Sequence, residues 1–162
     1  MAGRAYVITR RAALLSVSVL AGIALTVLVL ELALRRLPGP QYVQVRHAEF
    51  GWFTGFISLA SVAALAAVGT LAVLARRCGG GRRAAAALVL LLVAVGITAV
   101  VNGPINVEQL AWDAQAPPPD WASVRDLWQV CHAVRTAVIV AALACLEAAE
   151  HAVDPGIVGG RP

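Results

Sequence analysis

Lysine is absent from this chain, and charge of either sign is scarce: thirteen arginines and nine carboxylates make up 14% of 162 residues. A water-soluble domain of this length needs a charged shell that these residues cannot build. Cysteine is also sparse. Cys78, Cys131 and Cys145 form no C-x-x-C pair, which argues against a thiol–disulfide relay. Cys131 and Cys145 fall about 21 Å apart along one helix at 1.5 Å per residue, beyond disulfide reach, so the cysteines read as small core hydrophobes. The net charge of +4 does not indicate nucleic-acid binding, because the arginines cluster at the ends of apolar runs instead of forming a basic face or a reading motif. An Ala-, Arg- and Val-rich composition without lysine is associated with high-GC bacterial genomes.

What is present is apolar residues in blocks, 60% of the chain with a mean hydropathy of +0.79. Four runs, at about 12–34, 50–75, 84–101 and 124–147, each come near the ~20 residues that cross a 30 Å hydrocarbon core. In lipid a backbone must satisfy its own hydrogen bonds, so the expected fold is an all-α bundle of four transmembrane helices. Residues 1–150 are read as one membrane domain in the cell membrane, and the turn-rich 151–162, beginning at His151, as a flexible tail. Thr9-Arg10-Arg11 resembles the start of a twin-arginine signal, but the apolar run is too long and lacks a small-residue cleavage site.

Orientation follows from arginine placement. Arg4, Arg10 and Arg11 precede the first run, and Arg76, Arg77, Arg82 and Arg83 lie between the second and third. The segment from Asn102 to Ser123 carries Glu108, Asp113 and Asp120 but no arginine. The positive-inside rule places both termini in the cytoplasm. Arg35, Arg36 and Arg46, in the first connection, oppose this reading and are outnumbered.

The aromatics are one-sided. Trp52, Trp112, Trp121 and Trp128, with Tyr42, Phe50, Phe53 and Phe56, gather toward the first and third connections, and Tyr6 alone lies at the other end. An interfacial belt explains part of this; a pocket for a flat hydrophobic ligand explains the asymmetry. In the fourth run, Trp121, Arg125, Trp128, His132 and Arg135 fall within an arc of about 80° at ~100° per residue, flanked by Gln129 and Thr136. Ionisable groups within a bilayer are costly unless they face a protein interior or cavity, so this stripe is expected to point into the bundle. Arg125 alone fits a snorkelling side chain equally well. His132 and Arg135 lie deeper and are the leading site candidates.

Gly103-Pro104 is expected to end the third helix, leaving Asn102 and Asn106 beside freed carbonyls, as caps or as donors to a ligand oxygen. His47 and Glu49, before the second run, complete with His132 a two-His, one-carboxylate set, but no H-x-x-H spacing demands a metal and none is assigned. His47 reads better as an interfacial or proton-carrying residue. Glu31 is expected to pair with Arg35 four residues on. Gly51-Trp52-Phe53-Thr54-Gly55 is a G-x-x-x-G, read mainly as packing within the bundle and secondarily as a homodimer contact.

These residues carry a resemblance. Asn102-Gly103-Pro104-Ile105-Asn106, then Trp112, Asp120-Trp121, Arg125, Trp128, His132 and Arg135, with His47 upstream, resemble the anthrone-oxygenase-like family of small four-helix membrane proteins. Fungal members of that family are implicated in oxidising anthrones to anthraquinones. The resemblance implies a cofactor-free oxygenase of secondary metabolism, with O2 as co-substrate, acting on a hydrophobic aromatic polyketide-like molecule. It implies His132 or His47 as base, Arg125 and Arg135 as anion partners, and Asn102 or Asn106 holding an oxygen, with Trp52, Trp112, Trp121 and Trp128 stacking on rings. Cyclisation or isomerisation by the same groups, a non-catalytic accessory subunit and a transporter are the competing readings. Oxygen consumption separates the oxygenase from the cyclase or isomerase, and a partner co-purifying in fixed ratio would favour the accessory subunit.

Overall fold

A computed structural model describes residues 2–76 and 81–148, and within them every regular element is helical. Arg77, Cys78, His151 and the tail fall outside the described residues. Helices α1 (Ala2–Leu34), α2 (Gly39–Ala75) and α3 (Gly81–Ile97) are followed by a π-helical turn (Thr98–Asn102). The short α4 (Gly103–Leu110) and then α5 (Trp121–Ala148) complete the chain. Four spans are long and apolar enough to cross a bilayer: Gly3–Leu34, Gly39–Ala75, Gly81–Leu110 and Trp121–Ala148.

The side-chain distribution is that of a protein in lipid. The lower core is built of small residues, among them Ala13, Val17, Ala64, Val68, Ala84, Ala87 and Ala142. Larger apolar side chains such as Leu15, Val29, Leu59 and Leu92 face outward. Small interior residues let helices approach closely where no hydrophobic force drives them together. Outward leucines cost nothing in hydrocarbon, whereas in water they would form one continuous apolar patch. Buried positions on α3 run Ala84, Ala87, Leu91 and Ala94, the alternating three–four spacing of left-handed bundles. The chain is a multi-pass helical membrane protein.

Two helix ends differ from the sequence expectation. The second helix begins at Gly39, not near residue 50, because Pro38-Gly39-Pro40 forms its first turn, with a proline where an amide hydrogen would go unused. Arg46, His47 and Glu49, which read as preceding the helix, are therefore helical. Gly103-Pro104 does not end the third span. The π turn absorbs the missing proline donor: Gly103 N–H bonds Thr98 O, five residues back, and the helix continues to Leu110. The turn needs glycine, because a Cβ at residue 103 would stand 2.9 Å from the Thr98 carbonyl oxygen. Gly103→Ala is expected to cost about 1–3 kcal/mol, the usual range for forced backbone displacement. Denaturant titration in detergent would show it, and wild-type stability would disprove the role given to the turn.

The expected packing role of Gly51 and Gly55 is not seen. Both are exposed, and a Cβ on either would meet nothing within 4 Å.

The middle of α2 is less deeply buried than its ends. The helix buries Gly39, Tyr42 and Val43 near its start and Ala64, Val68, Leu71, Ala72 and Ala75 toward its end, but nothing between Val43 and Ala64. Two cavities lie behind that stretch.

Candidate functional site

The buried stripe of α1 runs Ala24, Val27, Glu31 and Leu34, so Glu31 occupies a core position by the same period that buries its apolar neighbours. It is 1% exposed. Its partner is not Arg35, which lies 3.2 Å from Asp126 on α5 instead. Glu31 pairs with Arg46 of α2: Arg46 Nη1 donates to Glu31 Oε1 at 2.9 Å. The same guanidinium donates from Nε to Gln109 Oε1 at 3.0 Å and from Nη2 to Asn106 Oδ1 at 2.8 Å, and Glu49 lies 3.5 Å away. Gln129 Nε2 donates to Glu31 Oε2 at 3.0 Å, bringing in α5. One arginine thus ties α2 to α1 and α4, and its carboxylate partner reaches α5. Charge can sit here because each group has a hydrogen-bonded partner.

Next to this hub, Trp128 Nε1 donates to Asn106 Oδ1 at 2.7 Å. Arg46 lies over the Trp128 ring, 4.6 Å from its centroid. The His132 ring stacks on Trp128 at 5.0 Å and 16°. His132, 1% exposed, bonds Ala24 O through Nε2 at 3.0 Å. A carbonyl only accepts, so Nε2 bears the hydrogen and Nδ1 offers its lone pair to Arg135 Nη2, 2.6 Å away. Arg135 Nη1 donates to Thr98 Oγ1 at 2.9 Å, on the π turn. Arg46 has two carboxylates, whereas Arg135 has none within ion-pair distance among the described residues.

His132 and Arg135 form the polar end of a cavity of about 260 Å³. Its walls are otherwise mainly apolar, from Leu20, Ile23 and Ala24 on α1, Ile57 and Leu65 on α2 and Leu91 on α3, with Ser58, Ser61 and Thr98 as further hydroxyls. A smaller cavity of about 100 Å³ adjoins it and is lined by Arg46, Glu49, Phe50, Phe53, Asn106 and Trp128. Thr98 and Arg135 line both. The larger volume approaches the lower end of the ~300–1,000 Å³ typical of ligand sites.

The stripe on α5 divides. Trp128, His132 and Arg135 reach the cavities. Trp121 and Arg125 belong to a separate packing cluster at the α1–α2 connection. There Trp121 meets Tyr42 at 5.7 Å and covers Gly39, and Trp112 packs nearby. Arg125 lies over Trp121 at 4.9 Å, bonds Asp126, and donates to Arg35 O at 3.4 Å, holding the end of α1. Asn102 is fully buried and donates to Trp128 O at 3.0 Å, fixing the π turn to α5 without lining either cavity. His47 Nε2 meets Gln109 O at 3.0 Å, on a face that neither cavity touches. Trp52 is 90% exposed on the outer face of α2. His47, Glu49 and His132 do not converge, and no group of three or more metal-ligating side chains is present among the described residues. Cys131 and Cys145 are free and half-buried.

Sequence reasoning did not find the Glu31–Arg46 pair or Gln109. The signal existed: Glu31 is in phase with Ala24 and Val27, and Arg46 lies one turn past the buried Tyr42 and Val43.

The geometry is that of a helical membrane protein holding a histidine–arginine pair at the end of an apolar chamber. The family model for anthrone oxygenase matches residues 50–145, more than half of the chain, and the protein belongs to that family. The match begins after Glu31, Arg46 and His47. No curated protein and no solved structure matches the chain.

Proposed function

We propose that the protein is a cofactor-free oxygenase that converts a compact, hydrophobic aromatic molecule of the anthrone type, a product of secondary metabolism, to a quinone inside the bilayer. The observation that carries this reading is the His132–Arg135 pair at the end of the apolar cavity. An anthrone methylene is flanked by two aryl rings and is vinylogous to a carbonyl, so its carbanion is delocalised onto oxygen.

In this reading the substrate oxygen draws Arg135 away from His132, and the freed Nδ1 lone pair takes the methylene proton. Arg135 then neutralises the enolate, as a preorganised donor does in a dry site. The carbanion passes its electrons to O2, forming a carbon–oxygen bond, and the proton returns to give a hydroperoxide. Removal of the second methylene hydrogen breaks the O–O bond, expels hydroxide and leaves the carbonyl. Anthrone and O2 become anthraquinone and water. Asn106 and Trp128, on the wall of the smaller cavity, would orient the ring system. His47, Arg125, Asn102, Trp52, Trp112 and Trp121 take no direct part.

Purified protein in lipid nanodiscs should consume one O2 per anthrone oxidised, above the uncatalysed rate, without added metal or flavin. Substrate converted without oxygen uptake would favour the cyclase or isomerase reading, and no conversion would leave an accessory subunit.

The same reading places both termini in the cytoplasm of a cell membrane. With Arg46 engaged by Glu31 and Glu49, and Arg35 beside Asp126, the positive charge of the first connection that opposed this orientation is largely compensated. Phosphatase fused after residue 148 should be inactive, and an active fusion would invert the topology.

A further inference from the structure

We infer that the chamber is loaded sideways from the hydrocarbon layer, through a gap between α2 and α3 bordered by Ser58, Val62 and Val95. The inference rests on the ligand class proposed above but not on the reaction.

The stretch of α2 that buries nothing supplies Ile57, Ser58, Ser61 and Val62 to the cavity. Ser58 and Val62 line the chamber and are also open to the outside, Val62 at 63%. Val95 of α3 does the same at 40%. A side chain that is both cavity wall and outer surface marks an opening. This one lies in the middle of two spans, where the surroundings are lipid tails. Its rim offers two valines and one hydroxyl, without charge. A polycyclic ligand dissolved among acyl chains crosses such a rim with no change of solvent. The end of the bundle beyond the site is occupied by Trp121 packed on Tyr42 and by the Arg46 hub.

Narrowing the gap tests the inference. Val62→Phe and Val95→Phe add bulk at positions that already face lipid, so the bundle tolerates them. Leu59→Phe and Leu92→Phe, at least as exposed but off the chamber wall, are the control pair. A Trp52→Phe background removes the most exposed tryptophan. Anthracene is then supplied from loaded vesicles to protein in nanodiscs, and energy transfer from tryptophan, chiefly Trp128, reports occupancy over time. The paired portal variant should fill about tenfold more slowly or worse, a one-decade rise in barrier, while the control matches the parent. Equal filling rates in the two pairs, or no saturable filling of the parent, would overturn the inference. Anthracene has no acidic methylene. A portal effect without anthrone-dependent oxygen uptake would therefore remove the proposed reaction and keep the entry route.

Discussion

Replacing Arg46 by methionine should lower the stability of the bundle by about 3–5 kcal/mol, the usual consequence of deleting one partner of a buried ion pair. The size of the effect comes from what is left behind. Glu31, 1% exposed, would lose its guanidinium and keep only Gln129 as a side-chain donor. Gln109 Oε1 would lose its donor, and Asn106 Oδ1 would keep only Trp128. A carboxylate stranded in a low-dielectric interior costs far more than the pair contributes, so Glu31→Leu combined with Arg46→Met should recover most of the loss. Arg35→Met, which breaks a half-exposed pair with Asp126, should stay within about 1 kcal/mol. Reversible unfolding in mixed micelles measures all three. An Arg46 variant no weaker than the Arg35 variant would show that the hub does not hold the helices.

His132→Ala should abolish anthrone-dependent oxygen uptake while leaving ligand binding within a few-fold. A positioned base contributes about 10²–10⁴, and His132 is the ring whose unprotonated Nδ1 accepts from the chamber's arginine. Arg135→Gln should lower the rate by about 10²–10³, the range for losing a preorganised oxyanion donor. The two losses should not add, because each residue acts through the other. The readout that separates chemistry from folding is a binding isotherm with anthracene, unchanged in shape when turnover is gone. Full turnover in the His132 variant would remove it from the mechanism and make the nearby carboxylate, Glu49 on the smaller cavity, the next base to test.

Much of this architecture was legible in the sequence. Apolar blocks of near-spanning length admit few structures in lipid, and the helical period of α5 correctly brought Trp128, His132 and Arg135 onto one inward face. Four things were not legible. Arg46, His47 and Glu49 read as loop because polar residues usually mean solvent, yet here Arg46 pairs with both Glu49 and the buried Glu31 inside the bundle. Gly103-Pro104 read as a break because a regular helix would break there, whereas a π turn accommodates it. The division of the stripe into chamber residues and an outer tryptophan cluster depends on where α1 ends and α2 begins, and no period along α5 encodes that. The direction of the His132 lone pair likewise follows from a carbonyl on another helix, Ala24 O.

The shallowly buried middle of α2, past Arg46 and Glu49, divides the molecule's cohesion into two unlike halves. One end is joined by contacts among alanines and valines, which depend little on the surrounding dielectric. The other is joined by a guanidinium and carboxylates, whose attraction fades where water penetrates. A short-chain detergent that admits water at one end would therefore loosen the charged clasp first and let the chambers lose their shape while the spans stay helical. The choice of solubilising medium will decide whether purified material retains a site to assay.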